Sequence, residues 1–156
     1  MKIRYLFYCY SLLLLSCNST TEKTTVSTKL FTLLMSDETG IDFNNRIHDD
    51  KDKNIFAYAN FYGGAGVGVG DFNNDGLQDI FFAGNMVPDK LYLNKGNLTF
   101  QDITEQSGIK NLDGWSTSVT VADFNNDGLL DIYVSRELYD ENPDWRRNLL
   151  YLNKGD

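Results

Sequence analysis

The chain has 156 residues, and 22 Asp and Glu against 14 Lys and Arg give a formal net charge of −8. This acid excess argues against a nucleic-acid-binding protein, because phosphate binding needs clustered Lys and Arg. A hydrophobic fraction of 42% is enough for a folded core, whereas one histidine and two cysteines leave little material for a zinc site or a histidine-dependent triad.

Residues 1–16 have the features of a secretory signal peptide. Lys2 and Arg4 precede an apolar run, residues 5–15, that is too short to span a hydrocarbon core of about 30 Å as a helix. The run ends in Leu-Leu-Ser-Cys17, which resembles the bacterial lipobox. That resemblance implies lipidation of Cys17 and a bacterial outer-membrane or cell-surface lipoprotein. The alternative is an ordinary signal peptide with an incidental cysteine.

Residues 17–29 form a predicted polar tether, rich in Ser, Thr and charged residues that have nothing to bury. We expect the tether to hold the folded part, residues 30–156, away from the membrane. Cys9 would leave with the signal peptide and Cys17 would carry lipid. No thiol would then remain for a disulfide or for thiol catalysis.

An internal repeat organises the rest of the sequence. Residues 71–80, Asp-Phe-Asn-Asn-Asp-Gly-Leu-Gln-Asp-Ile, recur at 123–132 with nine of ten residues identical. The phrase Leu-Tyr-Leu-Asn-Lys-Gly at 91–96 recurs at 150–155. Repeat periods of this size indicate a solenoid, a propeller or an array.

A third and weaker phrase precedes each of the other two. Phe31 with Thr-Gly-Ile at 39–41 is echoed by Phe100 with Ser-Gly-Ile at 107–109. Since the three phrases occur twice in the same order, we predict repeat 1 at about 31–99 and repeat 2 at about 100–156. The unequal spacings mark insertions, a polar one at 48–54 that contains His48, and another at 139–147.

The residues around the Asp-rich phrases predict β-strands. Ahead of the first phrase, Ala and Val alternate with Gly over 64–70; ahead of the second, Thr and Val alternate with Ser, Thr and Ala over 116–122. Period two places the small residues on one face, where backbones can approach closely. Residues 80–83, 132–135 and 91–93 are rich in strand formers, and Thr99-Phe100 begins a fourth strand.

Each Asp-rich loop carries oxygen donors at positions 1, 3, 5 and 9, a backbone carbonyl at position 7, and Gly at position 6 for a sharp turn. Oxygen-only donors suit a hard cation, as at the start of an EF-hand loop. Strand formers follow, so the loop joins two strands. The predicted ligands are Asp71, Asn73, Asp75, the Leu77 carbonyl and Asp79 in the first loop, and Asp123, Asn125, Asp127, the Leu129 carbonyl and Asp131 in the second.

We predict two Ca²⁺ sites in these loops. Three carboxylates within nine residues repel one another, and a dication offsets that repulsion. Ca²⁺ is favoured over Mg²⁺ because most ligands come from protein in a flexible loop. The alternative is an Asx-type turn, in which Asp and Asn only tolerate tight backbone angles. It would explain one Asn-Asp-Gly, but not one nine-residue pattern twice.

The loops resemble the calcium loops of FG-GAP/VCBS repeats, the blade unit of integrin-α-like β-propellers. Residues 61–66, Phe-Tyr-Gly-Gly-Ala-Gly, are similar to the Phe-Gly/Gly-Ala-Pro phrase of that family, with Gly66 in place of Pro; residues 114–117 depart further. The arrangement is similar to bacterial proteins that carry these repeats ahead of an ASPIC/UnbV-type segment. The resemblance implies an all-β fold, a partial β-propeller of about two blades of antiparallel strands.

Propellers close with roughly four to eight blades, so two units predict a fragment of a longer propeller with an unpaired last strand edge. We expect a calcium-binding, surface-exposed or secreted scaffold that adheres to a glycan or protein partner, through the propeller face and the 139–147 insertion, without catalysis. The alternative is the N-terminal part of a larger extracellular enzyme, for example a hydrolase. Trp115 is expected in the core and His48 in a solvated loop, whereas the role of Trp145 stays open.

Overall fold

The computed structural model describes residues 29–110, 114–137 and 142–155. Leu33–Asp156 forms one compact unit; of the other, Met1–Thr32, only residues 29–32 are described. The signal peptide, Cys17 and most of the tether therefore lie outside the described residues. Across the described ranges no helix has the length and apolar character to cross a membrane.

The fold is all-β, as predicted. In the part of the chain that the structure describes, a single turn of helix, α1, is followed by seven strands, with one 3₁₀ turn before the last of them. The elements are α1 (Ser36–Thr39), β1 (Val67–Gly70), β2 (Asp79–Phe82), β3 (Lys90–Asn94), β4 (Phe100–Asp102), β5 (Trp115–Ala122), β6 (Asp131–Glu137), the 3₁₀ turn (Pro143–Arg146) and β7 (Leu149–Tyr151).

Over the described residues the strands form two antiparallel sheets, each with the Asp-rich loop of one repeat, and the first sheet takes β4 from the start of predicted repeat 2. The first sheet has the order β1-β2-β3-β4 and the second has the order β5-β6-β7. Their registers correspond, since Ile80 pairs with Tyr92 in the first sheet and Ile132 pairs with Tyr151 in the second. Each Asp-rich loop joins the first two strands of its sheet. Two such units are consistent with two blades of a partial propeller.

The two sheets meet where β1 packs against β5. A Cβ atom on Gly66 would lie 2.6 Å from the backbone nitrogen of Val119, and one on Gly68 would lie 2.7 Å from a Val119 methyl. Side chains larger than hydrogen would clash there. The glycine face of β1 is therefore the buried one, while Val67 and Val69 are 53% and 54% exposed. The expected close backbone approach is confirmed for the small residues of β1. It is wrong for those of β5, where Val119 faces the glycines and Ser118 and Thr120 are exposed.

One core cluster joins the two sheets. It contains buried residues from β2, β3 and β6 together with residues of the connecting loops. These residues are Phe72, Phe81, Ala83, Leu91, Ile109, Ile132 and Val134. Because the cluster draws on both repeats, each blade completes its apolar burial against its neighbour, as repeat architectures do.

Candidate metal sites in the Asp-rich loops

The two Asp-rich loops adopt the same conformation. Asp71 accepts hydrogen bonds from the N–H groups of Asp75 at 3.0 Å and Gly76 at 2.8 Å. In the second loop, Asp123 accepts the equivalent bonds at 3.1 and 2.8 Å. Position 3 also corresponds, since the Asn73 and Asn125 side-chain carbonyls each accept from the amide two residues on at 3.1 Å. The sequence repeat is thus a structural repeat down to single hydrogen bonds.

Left-handed backbone at positions 4 and 6 makes the loops tight. Asn74 and Asn126 have φ of 57° and 62°, and Gly76 and Gly128 both have φ of 87°. Asn tolerates this region because its short side chain bonds locally, and Gly enters it without a Cβ clash. The predicted need for Gly at position 6 is confirmed.

The Asp at position 9 is buried and accepts hydrogen bonds from backbone amides, a role that was not predicted from the sequence. Asp79 is 0% exposed, and its two oxygens accept the N–H groups of Phe72 at 2.9 Å and Asn94 at 2.8 Å. Asp131 is equally buried and accepts from Phe124 and Asn153 at 2.9 and 2.8 Å. Each carboxylate therefore ties the start of its loop to the region where the third strand ends.

Negative charge accumulates in the first loop. Burial raises the pKa of Asp79; its two backbone hydrogen bonds oppose that rise, and the charges of Asp75 and Asp71 add to it. Among the described residues the ion pairs are Lys51–Asp52, Lys90–Asp102 and Arg147–Asp144, so none balances a loop carboxylate. Oxygen donors with unbalanced negative charge are the chemistry that suits Ca²⁺.

The donor set fits a calcium ion, but the carboxylates are not gathered around one point. Within the described ranges, no three Asp, Glu, His or Cys side chains come close enough together to hold a metal ion. Asp75 instead accepts from the Leu77 N–H at 2.9 Å and from the Asn73 side chain at 2.9 Å. The ten predicted ligands therefore remain a prediction, and ion binding would require these side chains to converge.

A family model described as FG-GAP-like repeat matches residues 51–134. The chain belongs to the FG-GAP-like repeat family. It is 39% identical over 72 residues to cartilage acidic protein 1 of Xenopus tropicalis and 36% identical over 72 residues to the protein of that name from Homo sapiens. Each alignment covers 46% of this chain and 11% of the relative, so the chain spans about a tenth of the length of these relatives.

Membership in this family indicates an extracellular or surface location and an adhesion-like repeat scaffold. The family and the relatives also point to a non-catalytic repeat domain. The predicted resemblance to FG-GAP repeats is confirmed, and so is the partial-propeller architecture of antiparallel blades.

The repeated phrase Leu-Tyr-Leu-Asn-Lys-Gly contains a contact that was not predicted from the sequence. The side-chain NH₂ of Asn153 donates to the carbonyls of Phe72 at 2.7 Å and Leu130 at 3.2 Å, so it joins the first Asp-rich loop to the end of the second. Asn94, its equivalent, donates to the Gln78 carbonyl at 3.0 Å. The sequence does contain a signal for this residue, because the same Asn recurs in the phrase that follows each Asp-rich loop.

A buried polar cluster also links the two blades. Asn85, 2% exposed, donates to the carbonyls of Ser116 at 2.9 Å and Gly64 at 3.1 Å. Asp89, 7% exposed, accepts from the Gly84 N–H at 2.8 Å and from the Ser116 hydroxyl at 3.3 Å. Burial raises the pKa of Asp89, although both hydrogen bonds and the Arg136 charge oppose the rise. The cluster therefore joins the two blades through buried hydrogen bonds.

The structure also describes three residues discussed in the sequence analysis, namely Trp115, His48 and Trp145. Trp115 is 4% exposed and packs near Phe61 and Tyr58, which confirms its core position. His48 is exposed, as expected for a loop residue. Trp145 is half-buried in the 3₁₀ turn of the second insertion, of which residues 142–147 are described.

Proposed function

We propose that this chain is a calcium-binding, exported scaffold that adheres to an extracellular glycan or protein. The observation that supports calcium binding is the duplicated loop, in which the same acidic pattern adopts the same hydrogen-bonded conformation twice. An Asx turn would explain one local turn, but it would not explain why the same carboxylates recur at the same positions of both loops. The oxygen donors of the loops and their unbalanced negative charge also favour calcium binding.

The residues that would hold calcium are the ten ligands predicted from the sequence. When bound, Ca²⁺ would supply two positive charges that offset the repulsion between the carboxylates of a loop. Asp71 and Asp123 fix the turn of the loop backbone, and the ligand side chains would converge on the ion around that turn. Extracellular sites of this kind have dissociation constants of about 10⁻⁴–10⁻³ M.

A calcium titration of the purified chain tests this proposal. We expect two sites by isothermal titration calorimetry, with Asp75→Ala and Asp127→Ala each removing one. These positions are exposed, so their substitution spares the buried bonds of Asp79 and Asp131. Asp52→Ala, an exposed acid outside the loops, is the matched control and should leave both sites. An unchanged stoichiometry in both loop variants refutes the ligand assignment.

The partner-binding surface is proposed to include the second insertion. Asp144, Arg146 and Arg147 are exposed there beside the half-buried Trp145, a mixture of charge and aromatic surface that suits a sugar or a peptide. A glycan array and a screen of extracellular proteins, probed with the calcium-loaded chain, should yield a partner whose binding falls in Arg146→Ala. If Arg146→Ala binds every recovered partner as the parent does, the insertion is not the contact surface.

Membrane attachment is proposed to occur through lipid on Cys17. In cells fed radiolabelled palmitate, the parent chain should incorporate label and fractionate with membranes. Cys17→Ser should lose both properties, while the control Cys9→Ser should keep them, because Cys9 lies within the apolar run of the signal peptide. Label retained in Cys17→Ser excludes this anchor.

A further inference from the structure

The side chain of Asn153 bridges the two Asp-rich loops. Its NH₂ group donates to the Phe72 carbonyl of the first loop at 2.7 Å and to the Leu130 carbonyl of the second loop at 3.2 Å. A side-chain amide has two N–H donors, so one is available for each loop. The side-chain oxygen of Asn153 accepts from the Gly155 N–H at 3.0 Å. Both polar atoms of this side chain are therefore engaged.

The two bridged carbonyls lie among the predicted calcium ligands. Phe72 is position 2 of the first loop, with a predicted ligand on either side, and its N–H donates to the buried Asp79 carboxylate at 2.9 Å. Leu130 is position 8 of the second loop and likewise has a predicted ligand on either side. Rotation of either peptide group would move the donors beside it. Asn153 thus restrains the backbone from which ligands of both loops project.

Apolar packing between the loops accompanies these hydrogen bonds. Leu130 packs against the core cluster that contains Phe72. A Cβ atom on Gly70, the residue directly before the first loop, would lie 2.9 Å from a Leu130 methyl and 3.6 Å from the Phe72 ring. Because close-packed groups cannot shift independently, a change in the backbone of one loop is transmitted to the other.

The first blade contains a matched residue, Asn94, whose hydrogen bonds over the described ranges stay within that blade. Its NH₂ donates to the Gln78 carbonyl at 3.0 Å, its side-chain oxygen accepts from the Gly96 N–H at 2.9 Å, and its backbone N–H donates to Asp79 at 2.8 Å. Asn153 makes the same bonds within the second blade. Its bond to the first loop is the addition, so the two asparagines differ by the bridge itself.

We propose that Asn153 couples the two calcium sites, so that an ion in one loop raises the calcium affinity of the other. This inference rests on the proposed calcium binding. Convergence of the ligand side chains on an ion orders the backbone between them, and the ordered carbonyl fixes the Asn153 amide. The second N–H of that amide is then held toward the other loop, which loses less conformational freedom when its own ion binds. The coupling is positive, and linkage makes it reciprocal.

An NMR titration of the purified chain, isotope-labelled at the glycine nitrogens, measures the two sites separately. The N–H groups of Gly76 and Gly128 donate to position 1 of the first and second loop, so their resonances report the two occupancies. The parent gives the calcium affinity of the second loop while the first is filled, and Asp75→Ala gives it while the first is empty. We expect a ratio of about two- to tenfold, the range for one net hydrogen bond. This ratio is the coupling factor.

The coupling factor distinguishes a bridge from a general structural support. Measured with and without Asp75→Ala, it should fall to about one in Asn153→Ala, which removes the bridge. Asn94→Ala removes the equivalent bonds within one blade and should keep the parental factor. Asn153→Asp is a second test, because it retains an oxygen for the Gly155 N–H and loses only the NH₂ donors. It should also lose the coupling, even if Asn153→Ala fails to fold.

The possible outcomes separate this inference from the calcium proposal. If both loops bind calcium with a parental factor of about one or less, the coupling is overturned and calcium binding stands. The same holds if the factor persists in the Asn153 variants or is lost equally in Asn94→Ala. If calcium shifts neither the Gly76 nor the Gly128 resonance, both proposals are overturned.

Discussion

At the scale of single residues, the Asp at position 9 has two roles that the sequence does not separate. A carboxylate at the end of an acidic loop is read as a cation ligand, yet Asp79 and Asp131 each bond two backbone amides while fully buried. Asp75 and Asp127 lie on the exposed part of the loop. The six repeated acids therefore divide into a buried pair at position 9, an exposed pair at position 5 and a half-buried pair at position 1.

This division predicts different stabilities in calcium-free buffer. Asp79→Asn replaces one accepting oxygen by an NH₂ group and leaves a buried backbone N–H without its acceptor. The expected loss is about 1–3 kcal/mol of unfolding free energy. Asp75→Asn, at the exposed position, should change it by less than about 0.5 kcal/mol. Urea unfolding in EGTA measures both, and equal losses would show that position 9 has no separate structural role.

At the scale of elements, the glycine face of β1 sets how closely the blades approach. Gly68 faces the methyl groups of Val119 and Val121, at 2.7 and 2.8 Å from the position of an added Cβ. The neighbouring Gly66 faces backbone atoms of Ser118 and Val119 instead. Side-chain methyls can be removed by substitution, whereas backbone atoms cannot, so the two glycines should respond differently to a compensating change.

Gly68→Ala should destabilise the chain by about 1–3 kcal/mol through overpacking. Combining it with Val119→Ala should recover part of that loss, because the second substitution removes the clashing methyl. Gly66→Ala should show no such recovery. Val67→Ala, on the opposite exposed face, is the matched control with a small effect. Chemical denaturation of the single and double variants gives the coupling energy, and additive losses at Gly68 and Val119 would contradict direct contact.

The pairing of β3 with β4 should depend on pH through Lys90 and Asp102, whose charged atoms lie 2.6 Å apart. Burial alone would raise the pKa of Asp102, but hydrogen bonds from Lys90 and Thr104 outweigh it and hold that pKa below its usual value. The pair therefore contributes stability above the unfolded pKa of about 3.9 and loses it as pH falls through the folded pKa.

Lys90→Met should consequently be less stable than the parent near neutral pH, by at most about 1 kcal/mol because the pair is partly solvated. The difference should shrink as the pH is lowered from about 5 to 2. Unfolding free energies of both chains across this range provide the measurement. If the difference in unfolding free energy between the two chains stays constant at acid pH, Lys90 stabilises the sheet by packing and not by charge.

At the scale of the whole molecule, the features that recur in sequence were predictable and those between repeats were not. Duplicated phrases predicted the loops, the strands and the blades, because each is formed by neighbouring residues. Periodicity predicted a close approach at the glycine face of β1, but it could not tell that Val119 and Val121 face those glycines from β5. The bonds from Asn85 to Ser116 and from Asn153 to Phe72 join residues 31 and 81 positions apart. Only the docking of the blades creates them.

Together with the proposed calcium sites, that docking predicts that the stability of both blades depends on calcium, which is the broadest prediction for the molecule. Asn153 bonds the carbonyls of Phe72 and Leu130, so ordering of either Asp-rich loop supports contacts of the other. Calcium at about 100 times its dissociation constant should add about 2.7 kcal/mol of unfolding free energy per site. Differential scanning calorimetry should show a higher melting temperature with calcium than with EGTA, and a smaller rise with equal magnesium. The double variant Asp75→Ala, Asp127→Ala should lose the calcium-dependent rise while Asp52→Ala keeps it, and a full rise in the double variant would place the effect of calcium outside these loops.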